Sequence, residues 1–147
     1  MKKLLISILF LASLLIFQGK YAFAGGDVMT GPFTATVLHV YDGDTILARV
    51  PVWLGQDITT RIRIKGIDTP EMHAKCKAEL KKAKAAKKRL TGLILDKTIV
   101  LTNVEYGKYA GRVLADVKTS AGDLITDILM REELARPYEG GKRASWC

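Results

Sequence analysis

The spacing of apolar and polar positions changes several times along the chain, and each change predicts an element. Residues 4–17, LLISILFLASLLIF, form one apolar run behind the basic head Met1-Lys2-Lys3. Gln18, Gly19 and Lys20 follow, then the small-x-small triplet Ala22-Phe23-Ala24. Charged head, apolar run and small-residue cleavage site, in that order, form the pattern of a secretory signal. The run falls short of the ~20 apolar residues of a spanning helix. The expectation is therefore a signal peptide over 1–24, removed to leave one domain over 25–147, with an uncleaved anchor as the alternative. Beyond it the period becomes two. Alternation predicts strands over 33–40 (FTATVLHV), 44–50, 61–67, 98–104 and 111–117. In the third, Ile62 and Ile64 face one way and Arg61, Arg63 and Lys65 the other. Asp42-Gly43 between the first two strands is a hairpin signal. Helical spacing appears over 73–96 and again over 123–135, where Asp123 is a candidate N-cap. Five strands, a helix inserted after the third and a C-terminal helix predict an α+β, mainly β, five-stranded OB-fold barrel. The Gly-rich tail PYEGGKRASWC reads as irregular, held down by Trp146 and Cys147.

Charge changes the picture modestly. The whole chain carries +8, and loss of the signal lowers this to +5, with 20 basic residues against 15 acidic. A positive excess suits a polyanionic partner, although many exported proteins share it. Residues 75–89 hold eight Lys or Arg and one Glu. They form either a solvated helix face or a sequence-independent guide for a nucleic-acid backbone. Cys76 and Cys147 allow a single internal pairing, which an exported compartment permits. The internal bridge is the reading favoured here, over free thiols or an intermolecular bridge through Cys147. It would stabilise the fold by about 4 kcal/mol on chain-entropy grounds.

The candidate chemistry lies in two acidic stretches. Asp44 begins the second strand, and Asp68-Thr69-Pro70-Glu71 ends the third. Either stretch alone has a plain structural reading: a polar strand end, and a helix start with Thr69 as N-cap and Pro70 at the first helical position. Together, on neighbouring strands, Asp44 and Asp68 supply an all-oxygen site for a hard cation. His39 and His73 stand alone in their segments and read as structural or surface residues, with no zinc spacing. Arg63 and Arg112 add guanidinium forks that match phosphate. A hard cation, two forks and a spare carboxylate describe phosphodiester hydrolysis. Glu71 is the carboxylate left to take a proton from water.

VYDGDT (40–45), RIRIKGIDTPE (61–71), YAGRVLADV (109–117) and LITDILMREELARPY (124–138) resemble the staphylococcal nuclease family, in its order and over nearly all of the mature chain. The resemblance implies an OB barrel with helices and a Ca²⁺-dependent nuclease that cuts DNA and RNA to leave 3′-phosphate ends. It implies one Ca²⁺ held by Asp44, Asp68 and the Thr69 carbonyl. It implies Glu71 as catalytic base and Arg63 and Arg112 as phosphate ligands. The family's tyrosine two residues before the second arginine is Ala110 here, with Tyr109 beside it, and Tyr138 matches the second pocket tyrosine approximately. Tyr109 and Tyr138 are therefore the substrate-binding candidates. The expected protein is exported to periplasm or medium, monomeric, and not inserted in a membrane once its signal is cut. Two rivals stand beside this reading: a non-catalytic OB module binding single strands, and a protein that binds calcium or a partner for structural reasons, its arginines in salt bridges.

Overall fold

The computed structural model describes residues 28–108 and 111–147. The signal-peptide expectation lies outside these residues, as does Tyr109. Among the described residues the order is β1 (Phe33–Val40), β2 (Thr45–Trp53), β3 (Gln56–Ile64), β4 (Ile67–Asp68), α1 (Lys77–Ile94), β5 (Thr98–Tyr106), β6 (Arg112–Thr119), α2 (Ile125–Arg131) and β7 (Arg136–Pro137). Strands β1, β2, β3, β6 and β5 close into a barrel in that order. All neighbours are antiparallel except β3 and β6, which run parallel. A parallel pair needs a crossover, and α1 with β5 provides it. This is the OB-fold, α+β and mainly β. The alternation explains the closure. Val37, Ile46, Ile62, Ile99 and Val117 are fully buried inside the barrel, and Leu90, Ile94, Ile125 and Leu129 of the two helices cap the same core. Full burial of each such side chain contributes about 1.5–3 kcal/mol.

Several boundaries differ from the sequence expectations, each for a local reason. The first helix starts at Lys77 rather than 73, because its N-cap is Cys76, whose Sγ accepts from the Glu79 N–H at 3.4 Å. Thr69, Pro70 and Glu71 are therefore not a helix start. The second helix spans 125–131 instead of 123–135. Asp123 does not cap it. Its backbone closes a turn with Thr119, whose N–H donates to the Asp123 carbonyl at 2.9 Å, and Leu124 holds the cap position without a side-chain bond. At the other end Glu133 enters the left-handed region at φ 56°, which stops the helix. Strands β2 and β3 run on into a hairpin the alternation did not signal, turned by Gly55 at φ 73°. Trp53 and Leu54 at its tip stand in solvent. No described helix is long and apolar enough to cross a membrane.

Arg89 of α1 grips Glu132 just past α2, with Nε donating to both carboxylate oxygens at 3.0 and 2.7 Å and the terminal nitrogen at 2.7 Å. Hydrogen bonding from Arg89 holds the Glu132 carboxyl below its ordinary 4.5. The pair's contribution is thus present above 4.5 and lost as pH falls through the lower folded value. Arg89→Gln should lower the melting temperature slightly at neutral pH, as an exposed pair does. Thermal melts across an acid series should show that difference vanish once Glu132 is protonated.

Candidate active site

Asp44 sits where β1 hands over to β2, and the barrel clamps its backbone. The Ile64 N–H donates to its carbonyl at 2.8 Å, and the Tyr41 N–H donates to the Thr45 carbonyl at 2.9 Å. The glycine of the DGDT stretch serves packing rather than turn conformation. A Cβ on Gly43 would lie 2.8 Å from the Ala86 Cβ of α1, 2.8 Å from Thr69 Oγ1 and 2.9 Å from Thr69 Cβ. Only a residue without a side chain lets α1 and the segment after β4 close onto this loop.

That closeness assembles the first half of the site. Asp44 is 3% exposed and Arg63 7%. The Arg63 guanidinium forms an ion pair with Asp44 Oδ1, and its other terminal nitrogen donates to the Ile67 carbonyl at 3.0 Å. Asp44 Oδ1 also accepts from the Thr45 hydroxyl at 3.0 Å. Asp44 Oδ2 accepts from the Thr69 hydroxyl at 3.0 Å and the Thr69 N–H at 3.3 Å. The sequence expectation brought Asp44 and Asp68 to one end of the sheet; the structure joins Asp44 to Arg63 and to Thr69, the residue after Asp68, in one hydrogen-bonded cluster.

The second half is built around Asp68, 1% exposed. Pairing of β4 with β7 sets Arg136 opposite Asp68. Asp68 Oδ2 accepts from Arg136 at 3.0 and 2.8 Å and from the Trp146 indole N–H at 2.9 Å. The Arg136 guanidinium stacks 4.2 Å above the Trp146 ring. Arg143 approaches Asp68 Oδ1 at 3.1 Å and also pairs with Glu71. Cys147, next to Trp146, is disulfide-bonded to Cys76 with Cα atoms 6.1 Å apart, which ties the tail to the N-terminus of α1. Glu79 of α1 orders the intervening loop, accepting from the Glu71 N–H at 3.3 Å and the Lys75 N–H at 3.0 Å. Glu71 keeps about half of its side chain in solvent (48%).

Other candidates fall at the edge. Arg112 lies on β6 opposite Arg61, one outward step along the barrel wall from Arg63. The Tyr138 hydroxyl donates to the Gly141 carbonyl at 2.8 Å, and Arg143 sits 5.8 Å from its ring centroid. His39 and His73 are exposed.

Sequence reasoning missed three contributors. Asp42, read as a turn residue, accepts from the Asp44 N–H at 3.0 Å. Burial, then the neighbouring Asp44 charge, pushes its carboxyl above 3.8. Arg136 and Arg143 join Asp68 from 68 and 75 positions away along the chain, a distance at which no local pattern speaks. The basic pair Lys142-Arg143 in the tail was the one available hint.

The donors suit a hard cation. All are carboxylate or carbonyl oxygens, Asp42 and Asp44 repel one another, and the buried Asp68 Oδ1 makes no hydrogen bond beyond its ion pair with Arg143. Among the described residues no three of the acids Asp42, Asp44, Asp68 and Glu71 bring oxygens within 4.8 Å of one another. The one group that does so is Cys76, Glu79 and Cys147, and its sulfurs are spent on the disulfide.

The closed OB barrel with a buried carboxylate–arginine cluster at one end is the architecture shared by nuclease-like and nucleic-acid-binding OB domains. The sequence matches the staphylococcal nuclease homologue family over residues 61–145, and the chain belongs to that family. Comparison with curated proteins gives no match.

Proposed function

We propose that the protein is an exported, monomeric, Ca²⁺-dependent nuclease that hydrolyses phosphodiester bonds of DNA and RNA. The observation that carries this is the buried Asp44–Arg63 pair, hydrogen-bonded to Thr69, which directly follows Asp68 in the chain and precedes the half-exposed Glu71 by two residues. A salt bridge kept only for stability is poorly served by burial, because desolvation offsets the attraction. A preorganised phosphate clamp is well served by it.

Asp44, Asp68 and the Thr69 carbonyl would hold Ca²⁺, with Asp42 adding negative charge beside them. When bound, the ion offsets charge developing on the phosphate oxygens. Asp44 and the Ile67 carbonyl fix the plane of the Arg63 guanidinium, and its remaining N–H groups would meet the phosphate. Arg112 supplies the second fork from the neighbouring strand. Glu71 takes the proton as water attacks phosphorus and the bond to the 5′ oxygen breaks, leaving a 3′-phosphate and a 5′-hydroxyl that takes its proton from solvent. Arg143 pairs with Glu71 and must release it for that transfer. Tyr138 would flank the nucleotide.

The test incubates the protein with denatured DNA in Ca²⁺, in Mg²⁺ and in excess chelator, beside Glu71→Gln. Cutting should occur with Ca²⁺, stop with chelator and fall by about 10²–10⁴ in the variant. DNA that is retarded on a gel yet uncut in every arm would instead identify a non-catalytic OB module.

A further inference from the structure

We infer that Arg61, Tyr41 and His39 form a subsite on the outer barrel wall that binds the nucleotide flanking the scissile phosphate. The inference rests on the nuclease reading for the place where the strand enters. The register lines up four residues across four strands: His39 opposite Leu47, Leu47 opposite Arg61, and Arg61 opposite Arg112. Ile62 faces the core, so Arg61 and Arg63 share the outward side of β3, about 7 Å apart at two strand rises. A strand whose scissile phosphate lies at Arg63 and Arg112 therefore meets Arg61 at its next unit.

The local chemistry suits that occupant. The Arg61 guanidinium lies 4.8 Å from the Tyr41 ring centroid. The His39 ring meets Tyr41 edge-on at 4.7 Å and 70°. Arg61 and His39 are exposed. Among the described residues no carboxylate pairs with Arg61, whereas Arg49, Arg63, Arg89, Arg136 and Arg143 each hold one. The nearby Asp42 is turned to the Asp44 backbone and Asp57 is paired with Arg49. An arginine held over a tyrosine ring and paired with no acid is set to receive a phosphate. The adjacent His39 ring offers a stacking surface for an unpaired base. A duplex gives up such a base only after unpairing, so the subsite favours single strands.

The measurement is fluorescence anisotropy of a labelled single-stranded DNA oligonucleotide binding to the Glu71→Gln protein with Ca²⁺, with a 3′,5′-bisphosphate mononucleotide as the short competitor. Arg61→Gln should weaken the oligonucleotide about tenfold relative to the mononucleotide. It should also reduce the slope of log affinity against log salt by about 0.7, one single-strand phosphate contact. His39→Ala should lower the same ratio with the salt slope kept. Thermal melts verify that both variants fold. An unchanged affinity ratio and salt slope in Arg61→Gln overturns the subsite. Because binding is read without cleavage, a protein that cuts nothing sinks the nuclease reading and leaves this result standing by itself.

Discussion

Arg63→Lys is expected to lower turnover on denatured DNA by about a thousandfold while the protein stays folded. Lysine keeps a positive charge beside Asp44 but presents a single point of donation, so it loses the planar fork that grips a phosphate. Removing one preorganised donor from a charge-stabilising site costs about 10²–10³ in rate, and here both the fork and its orientation go. Arg63→Ala separates the two roles. It leaves the buried Asp44 without its counter-charge, which should cost about 3–5 kcal/mol of stability. Steady-state rates in Ca²⁺ together with urea melts of both variants measure this. Near-normal turnover in Arg63→Lys would mean that the guanidinium merely neutralises Asp44 and never touches substrate.

Gly43→Ala should damage stability and activity together, although alanine adds a single methyl. The new Cβ meets Ala86 Cβ and Thr69 Oγ1 at 2.8 Å and Thr69 Cβ at 2.9 Å. None of these is the free end of a long side chain. Either α1 moves outward, at an overpacking cost of about 1–3 kcal/mol, or Thr69 moves off Asp44 and breaks the two bonds that align the acid. Ala86→Gly in the same background should restore part of the loss by reopening one contact, less about 1 kcal/mol for a glycine inside a helix. A Gly43→Ala protein that melts and cuts like the parent would show that the loop has slack, and that Thr69 does not depend on Gly43 for its position.

Much of the site was legible because its residues lie in two short stretches next to strongly alternating strands. DGDT and R-x-x-x-x-DTPE are specific when found together, as motifs of the family the chain resembles. Thr69-Pro70-Glu71 shows where local reading misleads. A threonine, proline and glutamate in a row favour a helix start, yet the Thr69 hydroxyl bonds to Asp44 across 25 residues and the helix waits for Cys76. A tertiary hydrogen bond to a buried carboxylate outweighs a cap that could form anywhere in solvent.

By itself the sequence determined the five barrel strands and the helix after the third, because alternation is a local property, and it named the candidates for handling a phosphate by their side-chain chemistry. Only the tertiary structure decided that Gly43 must be bare, that Asp42 crowds Asp44, and that Arg136, Arg143 and Trp146 gather on Asp68. Those contacts join segments far apart in sequence. Their partners are chosen by barrel register, by the approach of α1 and by the tail's tie to Cys76, none of which any single stretch of the chain contains.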